Sequence, residues 1–225
     1  MQAQRSQSRA RSVTDVSILV AVVMATWSLR FTGLSYVGPL TMAVGLLAVF
    51  ALLKWRGQAV SEIGLVPIER PGPVFREVLR LLPWFGAAWL AGGFVGLALF
   101  GQPQAGSAVS QLPAAWWAFL IDVTLVTWLL IAFGEEVVFR GFLLDRLLAL
   151  TGDTKSGRIL AATLQAAWFG SLHPSQGGSG MVITGAIGLA FAWFYLSRPR
   201  RDLWPLILVH AAVDTIVLSL SWVTR

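Results

Sequence analysis

The sequence contains no cysteine and only two histidines among its 225 residues. The absence of cysteine excludes disulfides, cysteine-ligated zinc, iron–sulfur centres and a thiol nucleophile. Charge is also scarce, because Asp, Glu, Lys and Arg make up only 12% of the chain, about half of the ~25% that soluble domains carry. Any chemistry must therefore come from a few polar side chains in apolar surroundings.

Apolar residues dominate the chain. They make up 56% of it, including 11 Trp and 13 Phe, and the mean hydropathy is +0.71. This composition predicts an all-α fold, a polytopic transmembrane helical bundle of about seven spans. Segments close to the ~20 residues that cross a bilayer occur at residues 13–31, 35–54, 78–100, 114–150, 157–173, 180–197 and 202–222.

Lys and Arg are sorted between alternate loops. With the N terminus inside, fourteen of the 17 lie in inner segments and only Arg30 and Arg225 lie outside, Arg140 being set aside as intramembrane. The positive-inside rule therefore predicts an N-inside, multi-pass protein. Its short chain and Arg-rich, Lys-poor loops favour a bacterial plasma membrane. Because these loops explain the net charge of +6, no nucleic-acid partner is expected.

Three regions follow from this pattern. Residues 1–12 form a polar cytoplasmic N-terminal tail, and residues 13–111 form N-terminal transmembrane helices with a cytoplasmic connector at 55–77. The third region, residues 112–222, holds the polar groups discussed below. In the second region, Gly92 and Gly96 form a GxxxG pair, which predicts close helix packing within the monomer.

The stretch GEEVVFRGFLLDR, residues 134–146, places charge inside a long apolar run. Ionisable residues at membrane depth are costly and usually functional. On a helix, Glu136 and Arg140 are i and i+4 and lie on one face, so we expect them to pair. Glu135 lies roughly 100° away around the helix. The pattern therefore predicts one paired and one available carboxylate.

Both histidines lie in or at the end of predicted spans. Phe169 and His173 are i and i+4, as are His210 and Asp214, so each pair shares a helix face. Counted from the inner ends, Glu135, His173 and Asp214 lie ~22, ~24 and ~18 Å along their helices, with His210 about one turn shallower. These groups are expected to converge on one buried site opening to the cytoplasmic side, although each histidine alone also fits a packed, hydrogen-bonded role.

Three motifs carry a resemblance to a known family. EEVVFR at 135–140, FGSLH at 169–173 and HAAVD at 210–214 resemble the EExxxR, FxxxH and HxxxN or HxxxD motifs of the CAAX-protease and bacteriocin-processing (CPBP) family of intramembrane proteases. The resemblance covers residues 112–222, which would form the catalytic transmembrane core. It implies an all-helical membrane fold and cleavage of a peptide bond by activated water.

The resemblance also implies a role for each motif residue. Glu135 would be the general base, and His173 would hold and polarise the water. Glu136 and Arg140 would brace the helix and orient Glu135, with Phe169 of the second motif in support. His210 and Asp214 would face the developing oxyanion. Asp214 departs from the prenyl-protein proteases, which carry Asn there: it is either protonated, or it orients His210 and leaves the oxyanion to other donors.

No cofactor is favoured, and Zn²⁺ is left open. If zinc were bound, Glu135, His173 and His210 would be its ligands, a combination used in catalytic zinc sites. However, the chain contains no HExxH, and the family has been described both as metal-dependent and as metal-independent. The other polar residues inside the spans are expected to be structural or interfacial: Asp122, Asp145, Arg146 and Gln165.

The favoured function is therefore an endopeptidase in the lipid bilayer that cleaves a membrane-associated protein or peptide. The alternative is a non-proteolytic membrane scaffold or regulatory binding protein with the same fold. A small-molecule transporter is less favoured, because the chain shows no internal repeat of the kind many transporters have. The sequence does not specify the substrate, prenylated or otherwise, or the oligomeric state.

Overall fold

The computed structural model describes residues 2–224, without the side chains of residues 2–6, 8, 107 and 110. Its main elements are seven long helices, joined by loops that contain short helical turns. No strand occurs in this range, so the all-α prediction is confirmed. The helices are α1 (Gln2–Trp27), α2 (Val37–Arg56), α3 (Pro71–Phe100), α4 (Trp116–Thr151), α5 (Lys155–Ser171), α6 (Gly177–Leu196) and α7 (Trp204–Val223).

Six helices of the described chain are long and apolar enough to cross a membrane, namely α1, α2, α3, α4, α6 and α7. The chain is therefore an integral, multi-pass membrane protein, close to the predicted seven spans. The remaining predicted segment, residues 157–173, corresponds to α5. This helix has 17 residues, fewer than the ~20 that a span requires. At the N terminus, residues 2–12 are the first turns of α1.

Helix α6 lies between α3 and α5, and glycines allow both close approaches. A Cβ at Gly96 of α3 would lie 2.9 Å from the carbonyl oxygen of Ser179, and one at Gly92 would lie 3.0 Å from Cα of Ile183. On the other side, a Cβ at Gly170 of α5 would lie 2.6 Å from a carbonyl oxygen of α6. The predicted close packing of the GxxxG pair within the monomer is therefore confirmed.

A buried ion-pair cluster joins the middle of α1 to the C-terminal parts of α2 and α4. Asp15 of α1 accepts hydrogen bonds from Nη2 of Arg56 at 2.7 Å and from Nε of Arg146 at 2.9 Å. Arg146 also donates to Asp145 at 2.7 Å and to the side chain of Gln58. Sequence reasoning missed Asp15, because its partners are distant in the chain.

The connector between α2 and α3 packs against the same end of the bundle. Tyr195 of α6 donates its hydroxyl to the carbonyl of Ile63 at 2.9 Å, and Trp204 of α7 donates its indole N–H to the carbonyl of Val66 at 2.7 Å. Gly64 has a left-handed backbone, with φ of 85°, and a Cβ there would collide with the Tyr195 hydroxyl. The connector thus ties α6 and α7 to the N-terminal helices.

The buried cluster makes a first prediction about stability. Asp15→Asn removes the carboxylate shared by two arginines, and breaking a buried pair should cost about 3 kcal/mol, a loss in Tm of roughly 6–12 °C at this chain length. Asp153→Asn is the matched control, since Asp153 pairs with Arg158 where both side chains are exposed, and its Tm should change little. Tryptophan fluorescence during heating in detergent measures both. Equal Tm values for the two variants would contradict this account of the cluster.

Candidate active site

The first motif lies on α4, where the backbone hydrogen bonding changes from π-helical to α-helical and back. Residues Asp122–Ala132 and Glu136–Leu143 are π-helical, and the N–H groups of Phe133 and Leu144 donate to carbonyls five residues earlier. Glu135 belongs to the short α-helical segment between them. Such wide turns redirect side chains and recur at functional sites. They were missed because regular α-helical periodicity was assumed from the sequence.

Glu136 is fully buried, and one of its carboxylate oxygens contacts two side chains. Its Oε1 lies 3.2 Å from Nη1 of Arg140 and 2.8 Å from Nδ1 of His210. The predicted pairing of Glu136 with Arg140 is therefore confirmed. Its contact with His210 was not predicted, since the two residues are 74 positions apart.

The Arg140 guanidinium packs between aromatic rings and a glycine. Its Cζ lies 4.0 Å from the ring centroid of Phe169 and 5.7 Å from that of Phe191. Phe169 also meets Phe139 edge-on, at 5.0 Å between centroids. Gly188 of α6 faces this group, because a Cβ there would lie 3.3 Å from Nη2 of Arg140. The second motif thus supports the first through cation–π contact.

Glu135 differs from its neighbour in having no tight partner. Its side chain is 9% exposed, and its buried Oε2 has no hydrogen-bond partner among the described residues. The nearest basic nitrogen is Nε2 of His210, at 3.8 Å. The Glu135 carboxylate also interacts electrostatically with His173, Asp214 and Arg140. At least one residue of each motif therefore lies within electrostatic range of Glu135.

His173 follows the end of α5 and is fixed by backbone contacts. Its Nδ1 lies 2.8 Å from the carbonyl oxygen of Phe169, and because a carbonyl can only accept, Nδ1 must carry the proton. In the neutral ring, Nε2 is then an acceptor. The indole N–H of Trp27 donates to the carbonyl of Leu172 at 3.2 Å, which anchors the turn to α1. The Trp27 contact was missed from the sequence.

His210 lies among three carboxylates. Nδ1 faces Glu136, while Nε2 lies 3.4 Å from Asp214 and 3.8 Å from Glu135. An ionised carboxylate only accepts hydrogen bonds, so the ring offers a donor to the carboxylates on both sides when it is doubly protonated. Thr215, the residue after Asp214, accepts a hydrogen bond from the indole N–H of Trp128 at 2.9 Å, which joins α7 to α4.

The remaining predicted residues lie apart from this cluster or lack its contacts. Asp122, near the start of α4, hydrogen-bonds Tyr36. Gln165 of α5 is fully buried, and neither of its amide atoms has a hydrogen-bond partner within residues 2–224. Over that same range, no group of three or more His, Asp or Glu side chains is arranged to hold a metal ion.

Comparison with known proteins supports the three-motif resemblance. Residues 115–216 match the family model described as type II CAAX prenyl endopeptidase Rce1-like. This segment is slightly less than half of the chain, contains all three motifs and is consistent with a CPBP-family protease. No curated protein and no solved structure matches the chain significantly.

The packing of Gly188 gives a second prediction. In Gly188→Ala, the new Cβ would lie 3.0 Å from Cδ1 of Phe169 and 3.3 Å from Nη2 of Arg140, so these groups must move, at a cost of about 1–3 kcal/mol. In Gly185→Ala, one turn earlier, the nearest contact would be 3.5 Å and the protein should retain its Tm. Thermal unfolding of the two variants measures the difference. A Gly188→Ala protein as stable as wild type would show that this contact is not tight.

Proposed function

From the match of residues 115–216 to this protease family, we propose that the chain is an intramembrane endopeptidase that uses Glu135 to activate water. The observation that carries the proposal is the division between adjacent carboxylates. Oε1 of Glu136 is held by Arg140 and His210, whereas the nearest basic nitrogen to Glu135 lies 3.8 Å away. Oε2 of each glutamate is buried without a hydrogen bond in the described part of the chain, so only Glu135 lacks a held oxygen. A buried acceptor of this kind suits a bound water.

The proposed first step uses Glu135 and His173 on opposite sides of one water. The water donates one hydrogen bond to Glu135 and the other to Nε2 of His173, whose tautomer is fixed by Phe169. As the water oxygen attacks the peptide carbonyl carbon, Glu135 takes its proton. When the carbon–nitrogen bond breaks, Glu135 returns that proton to the leaving amine. No metal enters these steps, and activity after chelation, with elemental analysis, tests that feature.

His210 is the proposed donor to the developing oxyanion. Its Nδ1–H is held by Glu136, so its Nε2–H is the group that can donate to Asp214 or to the substrate. Asp214 then acts by orienting His210, the second of the two roles expected for it. A positioned donor at the oxyanion typically contributes 10²–10³-fold in rate, about 3–4 kcal/mol. Glu136 thus positions the oxyanion donor as well as bracing Arg140.

The proposed substrate is a peptide bond in a membrane-associated protein or peptide. Glu135 lies about 24 Å along α4 from its inner end at Thr151, so the scissile bond must enter among the spanning helices. A substrate segment near a membrane anchor, whether a prenyl group, a transmembrane helix or a bacteriocin leader, satisfies this requirement.

A third prediction separates the two glutamates. Glu135→Gln keeps the shape of the side chain but cannot take a proton, so cleavage of a peptide identified from a library should fall by at least about 10³-fold with Tm unchanged. Glu136→Gln strands the buried Arg140 and should also lower stability, by about 3 kcal/mol. Rates and Tm values of both variants in detergent are the measurement.

Two outcomes would count against this assignment. If Glu136→Gln abolished cleavage at normal stability while Glu135→Gln remained active, the two roles would have to be exchanged. If the wild-type protein cleaved no peptide in the library, the non-proteolytic scaffold would become the better account.

The fourth prediction concerns Asp214. Asp214→Asn should retain activity within about tenfold, because an amide oxygen still accepts from His210 and its NH₂ group adds a donor. Asp214→Ala should lose about 10²-fold, because Nε2 of His210 is no longer held near the oxyanion. The two kcat values are compared on the same peptide. Equal losses in both variants would mean that the negative charge of Asp214, and not its hydrogen bond, is required.

A further inference from the structure

A cavity lies away from the candidate active site, at the end of the bundle where α5 begins and α6 ends. Its volume is about 510 Å³. We name it the arginine cavity, and its lining residues are Asp153, Arg158, Leu196, Ser197, Arg198, Pro199 and Arg201. None of the four charged side chains is used by the proposed proteolytic mechanism.

The cavity is lined by three guanidinium groups and one carboxylate, and two of the three guanidinium groups contact that carboxylate. Asp153 pairs with Arg158, and its Oδ2 lies 3.7 Å from Nη2 of Arg201. Arg198 contacts Glu77 of α3 at 3.2 Å, and Arg201 also lies 4.0 Å from Asp145. The hydrogen bond from Arg158 holds the pKa of Asp153 below its usual range. The lining itself therefore carries two more positive than negative charges. The adjoining carboxylates Glu77 and Asp145 are each shared with a further arginine, Arg80 and Arg146, so positive charge stays in excess.

The cavity opens beside an apolar surface. Ile159 and Leu160 follow Arg158 on α5 and are about half exposed, as expected for side chains that face lipid. The cavity also lies at the basic end of the bundle, which the positive-inside rule assigns to the cytoplasm. That leaflet is rich in anionic lipids, and basic pockets at the ends of spanning helices suit their headgroups.

We propose that the arginine cavity binds a phosphate group, and that its position favours the headgroup of an anionic lipid as the source. Arginine is suited to this ligand because its planar guanidinium donates two parallel hydrogen bonds to phosphate oxygens. Arg158, Arg198 and Arg201 would contact the phosphate while the acyl chains lie along the exposed side of α5. This site is independent of the proteolytic activity.

Lipid binding to the purified chain tests the proposal directly. Native mass spectrometry would measure the affinities for phosphatidylglycerol and phosphatidylcholine, and phosphatidylglycerol should bind more tightly. Arg201→Gln should weaken phosphatidylglycerol binding by about fivefold, the usual effect of one basic residue at an anionic surface. Arg76→Gln is the matched control, since Arg76 is exposed on α3 outside the cavity, and its affinity should equal that of wild type.

Asp153→Asn provides the sharper test, because it removes the negative charge from the cavity. It should tighten phosphatidylglycerol binding, whereas a purely structural role for the Arg158–Asp153 pair predicts weaker binding or none. Equal affinity for the two lipids, or weaker binding in Asp153→Asn, would overturn the proposal. Displacement of the lipid by inorganic phosphate at equal concentration would support a phosphate site but assign it to free phosphate.

Discussion

The geometry of the candidate site depends on the buried Glu136 carboxylate. One of its oxygens contacts Arg140 at 3.2 Å and His210 at 2.8 Å, and the Arg140 guanidinium in turn lies over the ring of Phe169. One carboxylate therefore links α4 and α7 directly and reaches α5 through Arg140. Buried ions are expensive to desolvate, and removing one partner leaves another charge stranded. The arrangement consequently fixes the three motif helices relative to one another.

As a result of this arrangement, Glu135 has fewer close contacts than Glu136. Because Glu136 contacts Arg140 and Nδ1 of His210, the nearest basic nitrogen to Glu135 is Nε2 of His210 at 3.8 Å, beyond hydrogen-bonding distance. Each glutamate has a buried Oε2 without a hydrogen bond among the described residues, which costs stability. Only Glu135 also lacks a basic nitrogen within hydrogen-bonding distance in that part of the chain, and the proposed mechanism places the attacking water beside it. In the proposed mechanism, Glu136 therefore has a structural role and Glu135 takes part in the reaction.

The local contacts could be predicted from the sequence, and the distant ones could not. The i, i+4 spacing correctly predicted the pairing of Glu136 with Arg140, and apolar segment lengths predicted the all-helical membrane fold. The His210–Glu136 contact joins residues 74 positions apart, and no local pattern reports it. The depth count placed His210 about one turn shallower than Asp214 and gave no indication of its contacts with Glu136 and Glu135. Close approaches such as that of Gly188 depend on how helices pack, which spacing along one helix does not determine.

Chemical rescue tests the central claim most directly. Glu135→Ala and Glu136→Ala would be assayed on the same peptide with and without added formate, which can enter the space left by the side chain and act as an external carboxylate base. We predict that formate restores cleavage to Glu135→Ala in proportion to its concentration and has no effect on Glu136→Ala, whose loss displaces Arg140 and His210. Cleavage by Glu135→Ala at the wild-type rate without formate would contradict the role of Glu135 as the base.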